Sequence, residues 1–513
     1  MKVRNVFMFL NVLGLGCFAI HPTQAAEVSK SMYELPHDVN NDLLKNYVKD
    51  GNIPSAQRLF DNFSWQTFIA LNWPANPKTG KAEPEKKIGN GSAPLVWEFY
   101  RQASSIFLPD GAKPASWEAG LSKMTGEKNP DITQLLDESL QAFKGPLVDQ
   151  NGKWVRYNVV VNKTEFDYLY ANELYNLDGQ AAYTNKHIVD FPVNTDSQPG
   201  SMEIKLSWKQ LGENDDPSRY IVRKAMVVHT LADDKGNLIP VKPTLETMGL
   251  VGMHITVRTK SSPTWVWATF EQVDNVAVND LEKDSRGKPL RPSFNNPDAP
   301  TMPVNVLAEK NAAKGADGKF TTWAENLTTE PVQVLQVLPI PKPAEELNRQ
   351  MRALLANEGS VLQYYQLIGT QWPVEPDFPA FPGGTSVTGG TSAPESILYK
   401  IPGKVVPVYL GNNTMETFFQ DGNQKAGPLA EDDRLPDGEV ADPTTVFGTE
   451  SCAGCHFSAG ACIGFKTGLN GKPLLDSKGN RIPIFGKNGN FGKTGGANFS
   501  WMFQIRSKAK PIK

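Results

Sequence analysis

Apolar residues change their spacing twice along this chain, and each change predicts a different kind of element. Between 30 and 145 the spacing is helical. The stretch LFDNFSWQTFIALNW at 59–73 is apolar on most sides, as a buried helix is, and Pro74 stops it. A second helix is predicted over 95–102. From 146 to 340 the period becomes two: Met202, Ile204, Leu206 and Trp208 alternate with Glu203, Lys205 and Ser207, and 154–161 is β-branched after an Asn151-Gly152 turn. The runs 220–230, 250–258 and 265–270 continue this pattern between turns at 233–236 and 315–318. These strands predict an antiparallel, sandwich-like domain. Helical spacing returns at 344–355 and 361–368.

The Pro/Gly/Ser/Thr-rich run at 382–394 reads as a linker. The predicted class is therefore α+β. A mostly helical region at 26–145 leads into a β-rich domain at 146–340. Helices and linker at 341–394 are followed by a small, mainly α segment at 395–513.

Composition narrows the function classes. The chain has 513 residues, with 52 Lys+Arg against 55 Asp+Glu and 40% apolar residues, which excludes a disordered tail and a nucleic-acid binder working by bulk charge. Gly (43) and Pro (39) favour many turns. Only four cysteines are present, too few for a disulfide framework, and three of them crowd at 452, 455 and 462.

The first 25 residues read as an export signal. Lys2 and Arg4 precede an apolar stretch at 6–20, and Thr23-Gln24-Ala25 offers small residues for cleavage after Ala25. A lipid anchor at Cys17 fits less well, because Gly14 stands where an aliphatic residue is wanted. No later stretch reaches the ~18 apolar residues of a membrane span. The expectation is a periplasmic protein with no integral span once the signal is removed.

One motif carries chemistry. Cys452-Ala453-Gly454-Cys455-His456 is Cys-x-x-Cys-His, the pattern of covalent c-type haem attachment. Residues i and i+3 lie on one side of a helical turn, so both sulfurs can meet one porphyrin edge, and His456 follows to place an imidazole on the iron. A thioredoxin-like redox pair would need a strand–helix context that 444–450 does not offer. A zinc site would need Cys462 and His456 in a cramped loop, and a Cys452–Cys455 disulfide would be tight.

With this motif the chain resembles the c-type cytochromes. Over its length it is similar to large periplasmic cytochrome c family proteins, through VGMHI at 251–255, WVWATFEQVDN at 265–275 and the downstream motif. The resemblance implies one covalently attached haem c and an exported compartment. It also implies a methionine some tens of residues after the motif as the second axial ligand, a position that Met502 fills. Met502 is equally an ordinary core methionine in an aromatic helix. His254, on a mostly polar strand face with Leu250, Thr256 and Arg258, is a second candidate for the far side of the iron, as ligand or proton donor. His229 and Met415 are weaker candidates, and Cys462 reads as a small packing residue. Trp265 and Trp267 share one side of a strand and read as core or as a stacking surface. The acidic pairs Glu345-Glu346 and Glu431-Asp432-Asp433 read as solvated surface.

Three functions compete. The first is electron transfer between a redox partner protein or small donor and an acceptor, with no nucleic acid involved. The second is a haem enzyme, a peroxidase or oxygenase, whose open distal face lies under the β-rich domain. The third is a redox sensor or binding module.

Overall fold

The computed structural model describes residues 32–89, 93–125, 134–141, 144–279, 281–299, 301–336, 340–373, 405–406, 412–419, 452, 456, 459–486 and 496–511. The export segment 1–25 with Cys17, the run 382–394, the acidic cluster 431–433 and Cys455 lie outside the described residues.

Nine strands form one central sheet: β1 (Arg101–Gln102), β2 (Gln134–Leu136), β3 (Arg156–Val161), β4 (Met202–Gln210), β5 (Val222–Val227), β6 (Thr244–Val257), β7 (Val266–Gln272), β8 (Tyr365–Pro373) and β9 (Val405–Val406). Their order is β1-β3-β4-β6-β7-β8-β9. β5 pairs with the first half of β6, and only the β2–β5 pair is parallel. The period-two runs thus join one mixed-length sheet, mostly antiparallel, instead of the two packed sheets of a sandwich. Among the described residues the helices with defined bounds are α1 (Asn41–Lys49), α2 (Ile53–Leu71), α3 (Trp117–Met124), α4 (Lys163–Ala171), α5 (Leu177–Thr184), α6 (Lys342–Asn357) and α7 (Met502–Arg506). Side chains of Asn40, Asn52, Ser116, Asn162 and Asn176 cap α1 to α5 by accepting an orphan amide of the first turn.

The alternation in β4, β6 and β7 gives the sheet two unlike faces. Ile204, Leu206, Met253, Ile255, Ala268 and Phe270 join the largest apolar core, together with Phe60, Trp65 and Phe68 of α2 and Leu347 of α6. Phe68 stacks on Phe270 with ring centroids 4.1 Å apart, and Trp65 meets Phe270 edge-on at 5.0 Å. Such pairs add about 0.5–1.5 kcal/mol each beyond buried area. α2 is buried on most sides, as its pattern predicts.

Two predicted helices are otherwise. The 95–102 run is a 3-10 turn at Val96–Phe99 followed by β1, because Arg101 and Gln102 find partners in Val161 and Val160. The 361–368 run is a 3-10 turn at Val361–Tyr364 and then β8, whose Tyr365 to Gln371 pair along β7. The described part of 395–513 holds a hairpin, Cys462–Phe465 with Pro483–Phe485, the short α7, and helical backbone at Cys452 and His456. The expectation of a mainly α segment does not hold for these residues. Among the described residues no helix is long and apolar enough to cross a membrane.

Candidate functional site

The sheet face opposite the α2 core is polar in its middle, and the register arranges it in three rows. Glu203, Thr256, Trp267 and Gln371 form the first, Lys205, His254 and Thr269 the second, and Ser207, Gly252 and Glu271 the third. Rows two residues apart along a strand are about 7 Å from each other, and neighbouring strands about 4.8 Å.

Of the Cys-x-x-Cys-His motif, the described residues Cys452 and His456 rest on the first row. The ring of His456 lies 4.6 Å from that of Trp267, and the Cys452 amide donates to Gln371 Oε1 at 3.0 Å. Nδ1 of His456 is 2.7 Å from the Phe499 carbonyl, a contact in which Nδ1–H donates and Nε2 is left to meet another atom. Burial lowers the His456 pKa to about 4, against the Phe499 carbonyl and Glu416, which favour the cation. The imidazole is therefore neutral at neutral pH. Lys205 and His254 also act on it through space, which places the second row beside the motif.

The backbone that presents the Phe499 carbonyl is strained. Asn498 (φ 49°), Phe499 (φ 76°) and Trp265 (φ 68°) all lie in the left-handed region, where a bulky residue costs about 1–3 kcal/mol. They are locked together: Trp265 Nε1 donates to the Asn498 carbonyl at 3.1 Å, and the Phe191 amide donates to Asn498 Oδ1 at 3.3 Å. Strain of this kind persists only where surrounding contacts hold it, and here they fix one hydrogen-bond acceptor for one histidine.

Met502 is buried at the start of α7, in the apolar cluster that contains Trp265, Trp267 and Phe499 and against which Cys452 packs. Both tryptophans are thus core residues, and Trp267 is also the floor under His456. Cys462 belongs to another cluster, with Leu177 and Phe485; burial raises its thiol to about 11, and it donates to the Gly464 carbonyl. Among the described residues no three His, Cys, Asp or Glu side chains converge as metal ligands would.

The second row holds an ionic cluster. His254 Nε2 lies 2.8 Å from Glu416 Oε2, and Nδ1 lies 2.9 Å from Thr269 Oγ1. Both ring nitrogens of His254 are engaged in hydrogen bonds in this arrangement. Leu250 does not share its face as the alternation suggests. A register shift in β6 at Val251 turns Leu250 into the α2 core, while Arg258 pairs with Asp190. Burial alone would push the Glu416 carboxyl up, but His254, Lys205 and Asn412 outweigh it and hold the pKa at about 2.

The third row anchors a strap formed by residues 412–419. Glu271 accepts from the Asn413 amide (2.6 Å), Asn413 Nδ2 (2.7 Å), the Thr414 amide (3.0 Å) and Thr414 Oγ1 (3.1 Å). Tyr157 and Gln141 donate to the Thr414 carbonyl, and Met415 sinks into a separate cluster with Val251 and Tyr157. Met415 is thereby a core residue. His229 bridges Glu325 and Thr244 elsewhere, and Glu345 and Glu346 are exposed, as expected for solvated surface.

Sequence reasoning found the motif and pointed at His254. It missed Phe499, Gln371, Glu271, Glu416 and the strap. Only the alternation that puts Glu271 on the same strand side as Trp267 hinted at a shared polar face. Compared with family models, curated proteins and solved structures, the chain matches none.

Proposed function

We propose that this chain is an exported, periplasmic single-haem c-type cytochrome whose role is electron transfer. Cys452 and Cys455 would hold haem c by thioether bonds, His456 would bind the iron through Nε2, and Met502 is the candidate opposite ligand. When bound, haem c supplies a one-electron couple at its iron.

The observation that carries this reading is the bond from His456 Nδ1–H to the Phe499 carbonyl. A ligating histidine almost always gives its other ring proton to a carbonyl or carboxylate, which fixes the tautomer and raises the basicity of the ligating nitrogen. The neutral ring is in the state that binds metal. Trp267, Phe499 and Met502 belong to the apolar cluster against which Cys452 packs, and such burial is one of the levers on a haem potential. The partners fitting this role are a redox protein or a small electron donor or acceptor.

A second reading, a haem enzyme, draws support from the Lys205–Glu416–His254–Thr269 cluster one row from His456, since a proton-exchanging group beside a haem suits reduction of a bound small molecule. Optical spectra of the purified exported protein separate the two. Six-coordinate iron that binds carbon monoxide slowly or not at all supports electron transfer, and prompt binding supports the enzyme. Loss of the methionine-to-iron charge-transfer band in Met502→Ala supports Met502, and an unchanged band removes it. A colourless protein with two reactive thiols at the motif defeats both readings.

A further inference from the structure

Glu165, in the first turn of α4, and Glu203, in the first row of the sheet, bring two carboxyl groups into one buried place. Glu165 is fully buried, and the two carboxyls are within hydrogen-bonding reach of each other. Ser500 donates to Glu203. Otherwise Glu165 Oε1, Glu165 Oε2 and Glu203 Oε1 are buried without any partner among the described residues. Two buried carboxylates in contact, with no cation to balance them, cannot both be ionised, so such a pair holds a proton between them.

Among the described residues, the charged groups of the elements around the pair are engaged elsewhere, including Lys205 on the same face of β4, which pairs with Glu416. On α4 itself Lys163 pairs with Asp167 and, more distantly, with Glu118 of α3. Arg101 lies over the Phe166 ring and bonds Ser105 and the Ser116 carbonyl. Arg258, just past β6, pairs with Asp190. Among the described residues of the C-terminal side, the Ser500 hydroxyl reaches the pair. Ser500 follows Phe499, whose carbonyl holds His456. Glu203 also shares the first row with Trp267, two strands or about 10 Å away across the sheet. The pair and His456 thus bond to adjacent residues, Ser500 and Phe499, in a low-dielectric setting, where charges act on one another by several times what they do in water.

We infer that Glu165 and Glu203 form a proton-binding site coupled to the charge state of the motif. The pair takes one proton from solvent when the site gains one electron from its donor, and releases it when the electron leaves. Glu165 keeps its proton and donates to Glu203, and burial, which raises both groups, puts the exchange on Glu203 at about pH 7. The coupling rests on the haem reading above; the shared proton does not.

Two measurements on the full exported protein test this with Glu165→Gln and Glu203→Gln, which keep size and hydrogen bonding but remove the acid. The first is thermal unfolding against pH. A carboxyl whose folded pKa is raised binds protons more strongly in the folded state, so its contribution is full below the ordinary carboxylate range and is lost as pH rises from about 4.5 through 7. The variants are expected to match the parent below about pH 4 and to unfold at higher temperature than the parent at pH 8–9. Parallel curves for parent and variants overturn the shared proton, whether or not the protein is coloured. The second is the midpoint potential against pH. The parent is expected to fall across pH 6–8 with a slope approaching about 59 mV per pH unit, the tenfold equivalent for one electron, Glu203→Gln to be nearly flat there, and Glu165→Gln, which leaves Glu203 ionisable, to keep a slope. An unchanged slope in a Glu203→Gln protein that does show the stability effect overturns the coupling alone.

Discussion

A methyl group at position 252 would come within 2.3 Å of Thr414 Oγ1 and 2.6 Å of Ser207 Oγ, so glycine there is what lets the strap lie on the third row. Gly252→Ala is expected to cost about 1–3 kcal/mol in a urea titration, the usual range for overpacking, while a Ser207→Ala background recovers part of it by removing one obstacle. Glu416 acts through charge. Its pKa is depressed, so its contribution is present above the ordinary carboxylate range and is lost as pH falls from about 4.5 toward 2. Glu416→Gln is expected to be less stable than the parent at pH 7 by about 1–3 kcal/mol, with the gap closing by pH 2–3. A gap that stays constant with pH would mean that the carboxylate charge is not what His254 and Lys205 hold. His456 was legible as a candidate from sequence because it follows two cysteines at a fixed spacing. Glu416 was not, because Asn-Asn-Thr-Met-Glu-Thr at 412–417 has the look of any polar loop until the sheet face beneath it is known.

The elements that shape the site depend on contacts distant in sequence. Asn162 caps α4 by accepting from the Glu165 amide, but it also accepts from the Met202 amide at 3.2 Å and donates to the Gly200 carbonyl at 2.7 Å. One buried side chain therefore ties the start of α4 to the start of β4. Asn162→Ala is expected to lose about 2–4 kcal/mol in denaturant unfolding, more than a simple cap, because two buried amides and a carbonyl are left unpaired together. A loss under 1 kcal/mol would show that α4 is held by Phe166 and Leu169 alone. The alternation of β4 was readable because it repeats cleanly from Met202 to Trp208. The shift at Val251 was not, since it exists only against the register of β4. Likewise 361–368 has too few residues for its spacing to separate helix from strand, and pairing with β7 decides it.

At the scale of the molecule, parts of the chain more than 300 residues apart meet beside the sheet. Arg506 of α7 bonds Asp137 and Glu138, and Arg481 bonds Asp178 of α5 in two contacts of 2.6 and 2.7 Å. Without residues beyond 394, the Glu271 carboxylate and the second row would face water or lie unpaired, and Trp265, Trp267 and Phe191 would lose their cover. A chain ending at 394 is therefore expected to unfold broadly or aggregate, where the full chain melts in one sharp transition by calorimetry. A truncated chain that still melts sharply would show that the sheet and its helices stand alone.

The floor beneath His456 has a practical meaning for anyone reshaping this protein. Trp267 and Gln371, which seat His456 and Cys452, lie on β7 and β8, so excising the last hundred residues and grafting them onto a foreign scaffold would carry these two residues without their seat. A transplantable minimal version has to include both strands as well as the whole strap.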